Sequence, residues 1–222
     1  SNCNVGVGNY VMDAAMNGAT YNTALGYHAL GALTQGDNNV AIGESAGKAV
    51  TTGYSNTMVG WNVNLSLTSG YNNTSIGEEA GRNSTYGRHN TIVGFKAGYY
   101  TTGADWNTLI GTYAGYKLGD TGGSGGDNDG DSSYNTAIGY AAMGGGDNSS
   151  ANNVGAVNVA VGYLALGGAT LGSDGNVLSG DHNIAIGGMA MQTHGSGNRN
   201  IAIGANAMDD TDAGANSLGS SD

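Results

Sequence analysis

The sequence predicts an all-β fold, a parallel β-solenoid (β-roll) of about eleven coils that forms one domain over residues 1–222, and three observations carry that expectation. A five-residue core of Asn, then Thr, Val or Ile, then a small or apolar residue, an aliphatic and Gly recurs eleven times. Its unit is 17 residues, which suits one coil of a solenoid whose equivalent strands stack in parallel, and no segment has helical periodicity. Gly accounts for 43 of the 222 residues and Pro for none. Gly and Asn supply corners at positive φ, and a chain without Pro keeps every N–H for the neighbouring coil.

Taken in order, the first seven cores start at Asn4, Asn22, Asn39, Asn56, Asn73, Asn90 and Asn107, with only the first interval one residue over the period. Those at Asn135, Asn158 and Asn183 follow insertions of 11, 6 and 8 residues, and Asn200 opens a last core after a further 17. The insertions place loops near 116–134, 144–157 and 167–182. Each core is short, alternating and rich in β-branched residues between Gly and Asn, the pattern of a strand. The rest of each unit is expected to add one or two weaker extended stretches. Stacked at about 4.8 Å, eleven coils make a rod roughly 50 Å long.

The columns of this array suggest which side faces where. The fourth core position (Val7, Leu25, Ile42, Val59, Ile76, Val93, Ile110, Ile138, Val161, Ile186, Ile203) is always aliphatic and is expected to point into the coil. The second shares that face, where Thr exchanges with Val and Ile as buried near-isosteres would. The third then faces outward, yet bears no charge in any coil. An exposed strand face should be polar, so an apolar stripe reads as a subunit interface. Ala24, Ala41, Met58, Ile92, Leu109, Ala137, Ala160, Ala185 and Ala202 are therefore the expected seam of a homo-oligomer of parallel subunits, most simply a trimer. The repeat Asn is expected to form an amide ladder or satisfy a corner.

Charge and composition exclude several classes. Seventeen acidic residues against six basic ones, a formal net charge of −11, give no cationic stripe for phosphates, so nucleic acid and anionic lipid are not expected partners. Apolar runs are only a few residues long, so no membrane insertion is expected, and the absence of a signal peptide suggests a chain that starts after processing or within a longer protein. A lone cysteine, Cys3, excludes an internal disulfide framework and reads as an inert thiol.

Motifs with chemical content are few. Gly43-Glu44-Ser45-Ala46-Gly47 matches the nucleophile elbow, but the same columns read Gly77-Glu78-Glu79-Ala80-Gly81 and Gly94-Phe95-Lys96-Ala97-Gly98, so the spacing belongs to the coil. Asp127, Asp129 and Asp131 alternate as in a calcium loop. Position twelve from Asp127 is Ile138 instead of Glu, which excludes an EF-hand and leaves an irregular calcium site against the favoured reading of a solvated acidic loop. No other cofactor is expected. His28, His89, His182 and His194 share no ligand spacing. Directly after the repeat Gly stand Tyr27, Trp61, Phe95, Tyr140 and Tyr163, rings that could bind a surface glycan, although rings covering the Gly-rich corner or the seam are the favoured reading.

Asn39-Val40-Ala41-Ile42-Gly43, Asn183-Ile184-Ala185-Ile186-Gly187 and Asn200-Ile201-Ala202-Ile203-Gly204, each with Ala three residues on, resemble the head repeats of trimeric autotransporter adhesins. Units such as Asn73-Thr74-Ser75-Ile76-Gly77-Glu78-Glu79-Ala80-Gly81 are also similar to repeats of phage tail fibres. The resemblance implies a trimeric parallel β-roll displaying an adhesive surface, extracellular, on a virion tail or a bacterial cell, with a glycan or protein receptor as partner. The expected function is a non-catalytic building block of such a fibre. Position eight after the repeat Asn is Gly in central coils but Met or Leu toward both ends, which suggests rods stacking head to tail into a filament as the alternative. A polysaccharide-acting enzyme would need grouped carboxylates, and Glu78 with Glu79 is the one adjacent Glu pair. An ice-binding solenoid would need the Thr column to face water, and its exchange with Val and Ile argues that it does not.

Overall fold

The computed structural model describes residues 3–119, 132–144, 155–167, 180–192 and 197–208, and among them it is a parallel β-solenoid. Each repeat core contributes one three-residue strand: β1 (Val5–Val7), β2 (Thr23–Leu25), β3 (Val40–Ile42), β4 (Thr57–Val59), β5 (Thr74–Ile76), β6 (Thr91–Val93), β7 (Thr108–Ile110), β8 (Thr136–Ile138), β9 (Val159–Val161), β10 (Ile184–Ile186) and β11 (Ile201–Ile203). They form one 11-stranded sheet in sequence order. Register is kept across all three insertions: Thr108 pairs with Thr136, Thr136 with Val159, and Val159 with Ile184. Residues inserted into a coil leave the ladder intact, because the strand is fixed by its neighbours above and below and not by the length of chain that returns to it.

The weaker extended stretches do not form. Beyond the strand, the described part of each coil is almost entirely turns, bends and irregular backbone, held by hydrogen bonds to the coils on both sides, such as Ser45 N to the Tyr27 carbonyl of the preceding coil (2.8 Å) and Gly47 N to the Val63 carbonyl of the following one (3.0 Å). These turns rest on left-handed residues at fixed places, among them the residue before every repeat Asn, from Cys3 (φ 49°) to Arg199 (φ 61°). The repeat Gly is required for a different reason. At Gly60 φ is 144°, and a Cβ there would collide with the carbonyl of Gly77 in the next coil.

Burial reverses the expected orientation of the strands. The third core position lies inside the coil: Ala41, Met58, Leu109, Ala137, Ala160 and Ala185 have no exposed surface, and Ala24, Ile92 and Ala202 almost none. These nine residues are the solenoid's own core and not a seam between subunits. The second and fourth positions face outward instead, with Val7, Ile42, Ile110, Ile138 and Ile203 all exposed. Size is the physical reason. The lumen of so short a coil is filled by the third position together with positions seven, eight and eleven after the Asn, represented by Ala29, Leu30 and Leu33, all fully buried. A lumen that narrow takes one side chain from the strand and has no room for two branched ones.

The same packing corrects the reading of position eight. Where the third core position is Ala, position eight is mostly large: Ala24 with Leu30, Ala137 with Met143, Ala160 with Leu166, Ala185 with Met191. Where the third position is Ile92 or Leu109, position eight is Gly98 or Gly115, and a Cβ added at Gly115 would lie 2.7 Å from Leu109 Cδ2, whereas in the Met58 coil position eight is the buried Asn64. Leu30, Met143, Leu166 and Met191 are fully buried or nearly so, which makes them lumen filler and not an end surface. Ala41 with Gly47 leaves space that the next coil fills, since a Cβ at Gly47 would lie 2.7 Å from Met58 Cε.

The repeat Asn residues form the expected ladder. Asn39 Oδ1 accepts from both the backbone N–H and Nδ2 of Asn56, each at 3.1 Å. Its own Nδ2 donates to Asn22 Oδ1 (3.1 Å) and to the Gly53 carbonyl (2.9 Å), so all four of its side-chain bonds are made with no exposed surface.

Candidate contact surface

The outward side of the sheet carries two uncharged columns. One is Val5, Thr23, Val40, Thr57, Thr74, Thr91, Thr108, Thr136, Val159, Ile184 and Ile201; the other is the aliphatic fourth position from Val7 to Ile203. Strand alternation puts both on one face, and the parallel register stacks like on like, Thr57 on Thr74 and Val59 on Ile76. The apolar stripe anticipated from the sequence exists, therefore, on the opposite face of the strand from the one expected.

Aromatic residues stand on either side of the strands in sequence. Of those predicted after the repeat Gly, Tyr140 and Tyr163 stack on each other (5.5 Å, 16°), Tyr27 meets His28 edge-on (4.3 Å), and Phe95 lies edge-on to Tyr113 (5.5 Å) beneath the Lys96 ammonium (5.2 Å). Trp61 is exposed and has no ring partner among the described residues. A second group was missed. Tyr54, Tyr71, His89, Trp106 and Tyr134 follow one another through five coils at 4.6 to 5.3 Å, near-parallel at every contact except Tyr71 with His89. Trp106, stacked between His89 and Tyr134, presents its edge, whereas Tyr54 and Tyr134 end the row with one ring neighbour each. The signal was present in the repeat alignment but divided between the two positions that precede the Asn.

The corner before the Asn also holds an ion pair. Asp105, with no exposed surface, accepts from the Arg88 backbone N–H (2.7 Å) and from Arg88 Nε (2.9 Å), while Arg88 Nη1 donates to the Tyr71 hydroxyl (3.1 Å). Burial raises the Asp105 carboxyl above its ordinary value despite the opposing pull of Arg88. The Tyr71 hydrogen bond, with the Asp105 contact behind it, raises Arg88.

Glu78 and Glu79 diverge: Glu79 is buried and paired with Arg82 (3.2 Å) and Lys96 (3.5 Å), whereas Glu78 is exposed. Ser45 occupies a left-handed turn position (φ 58°) equivalent to Glu79 and Lys96, as the repeat alignment implies. Asp127, Asp129 and Asp131, with His194, lie outside the described residues, as do the middle portions of the three expected loops. Among the described residues no group of three His, Cys, Asp or Glu could hold a metal ion, and no helix is long and apolar enough to cross a membrane.

Comparison with protein-family models, with curated proteins and with solved structures found no match to this chain.

Proposed function

We propose that the chain is a structural and adhesive building block of an extracellular fibre, a phage tail fibre or a bacterial surface adhesin, in which copies associate through the outward sheet face. The observation that carries this reading is the uncharged face of eleven strands, exposed in the single chain. Contiguous apolar surface of that extent marks an interaction site. The face repeats along its whole length at one spacing, so a second copy offers the best-matched partner, and a parallel homotrimer closes three such faces around one axis. The stiff ladder sets the length of the element, and the exposed aromatics and loops supply contacts to a cell-surface glycan or protein.

Particle mass and shape, by light scattering and electron microscopy of one sample, test this. A trimeric rod is the expected result. Long filaments with an axial repeat near one rod length would make the chain itself the polymer, and a compact monomer of 22.0 kDa would overturn the proposal.

One observation favours a second reading. Six outward Thr residues stand in one column of the parallel sheet, the last five in consecutive coils, and present hydroxyl and methyl groups outward in a regular array. Such an array suits the binding of ordered water at an ice surface. Thermal hysteresis in the purified protein, abolished by Thr91→Lys, is what this reading requires; freezing without hysteresis excludes it.

A further inference from the structure

We propose that Glu44, Trp61 and Glu78 form a binding site for a soft organic cation, a guanidinium or methylated ammonium group. This inference stands apart from the fibre reading, since it needs a single chain only.

The three residues occupy the same place in consecutive coils, directly after the repeat Gly. Backbone bonds fix their stacking: Asn62 N donates to the Glu44 carbonyl (3.0 Å), Glu79 N to the Trp61 carbonyl (2.8 Å) and Lys96 N to the Glu78 carbonyl (3.0 Å). Trp61 is thereby placed one coil above Glu44 and one coil below Glu78. All three side chains are exposed, Trp61 by 45%. Neither Glu44 nor Glu78 has an ion-pair partner among the described residues, and Trp61 is not covered by another ring. The column continues as Tyr27, Glu44, Trp61, Glu78 and Phe95, so aromatic and acid alternate through five coils.

Indole presents the most electron-rich face of the natural side chains, and a cation over it is attracted by the ring quadrupole. Flanking carboxylates add charge, and for guanidinium they add hydrogen-bond acceptors. The molecule already uses this chemistry nearby. Lys96 Nζ lies 5.2 Å from the Phe95 ring centre, 5.7 Å from that of Tyr99 and 3.5 Å from Glu79 Oε2, so aromatic faces and a carboxylate together hold an ammonium group of the same chain. Glu44, Trp61 and Glu78 place the same two kinds of group, an aromatic ring and carboxylates, in one column of adjacent coils, and no Lys or Arg lies over the Trp61 ring among the described residues. A chain with 17 acidic and six basic residues also draws cations toward its surface.

The test uses the full chain with Trp106→Phe, which leaves Trp61 as the one tryptophan and keeps a ring in the stacked row. Its fluorescence is titrated with tetramethylammonium chloride and with N-acetyl-arginine amide, against sodium chloride at equal ionic strength. Expected is a saturable change with both organic cations, half-complete in the millimolar range as suits one exposed site, and no change with sodium. The surface substitutions Glu44→Gln and Glu78→Gln together weaken it at least fivefold while the circular dichroism spectrum stays that of the parent. Phosphatidylcholine vesicles and a peptide of alternating Gly and Arg then separate the sources: tighter response to vesicles assigns a lipid headgroup, and tighter response to the peptide assigns a basic protein segment. A response equal to that of sodium, or one that survives the double Gln substitution, overturns the proposal.

Discussion

Asp105 and Ser75 show how single buried groups set the local economy of a coil. The Asp105 carboxyl titrates above its ordinary value because burial outweighs the attraction of Arg88. A carboxyl whose folded value is raised contributes stability at low pH that is lost as pH rises through the folded value. Denaturation midpoints of the parent and of Asp105→Asn, measured from pH 3 to 7, should therefore diverge with pH, the parent losing ground as pH rises. Ser75 lies inside the lumen with its hydroxyl unpartnered, in the column where six other coils carry Ala. Ser75→Ala removes a buried polar group without loss of packing and should stabilise by about 1 kcal/mol, read from the urea midpoint. The left-handed residue before each Asn is never Gly, although 43 glycines occur elsewhere, and at Trp106 and Val157 it is bulky or β-branched. Such conformations cost of order 1 kcal/mol or more for a non-Gly residue, so the side chain at that corner is retained for what it contacts.

A single coil is the element of this fold, and its interior is a problem of volume. Leu109→Ala should cost about 3 kcal/mol through the void it leaves, and Gly115→Met alone about 2 kcal/mol through crowding against Leu109. Combined, the two reproduce the Ala137 and Met143 coil, and the double variant should be more stable than either single one, a coupling measurable by a denaturation cycle. Met is tolerated at that backbone position, since Met143 and Met191 adopt φ of 50° and 53° where Gly115 has 59°. The period, the strand positions and the Asn ladder were legible in the sequence, because backbone pairing makes them recur in every coil. The facing of the strand was not. Neither face of the strand carries a charge, so hydropathy could not separate Ala41 inside from Ile42 outside. Size compensation between Leu109 and Gly115, or Ala137 and Met143, was the informative signal, because only residues that share a space trade volume. The aromatic row from Tyr54 to Tyr134 escaped for a related reason: stacking depends on which coil faces which, and it runs across two sequence columns.

At the scale of the molecule, the outward face is separable from the fold. Ile110→Lys with Ile138→Lys places two charges in the middle of that face, at residues whose side chains are already partly in water. The fold should survive with a thermal midpoint within a few degrees of the parent, since surface changes outside the core cost within about 0.5 kcal/mol each, whereas a particle assembled through this face should fall to the single-chain mass in sedimentation. An unchanged particle would move the seam elsewhere. The Asn ladder has a consequence of another kind. From Asn4 to Asn183 every side-chain carbonyl accepts from the Asn of the following coil, so these carbonyls all point the same way along the solenoid axis. They form a one-dimensional array of aligned oscillators whose hydrogen bonds polarise one another. Infrared light polarised along the rods in an oriented film should therefore be absorbed by a side-chain amide band shared over many coils, and replacing Asn90 should split that band into two shorter chromophores.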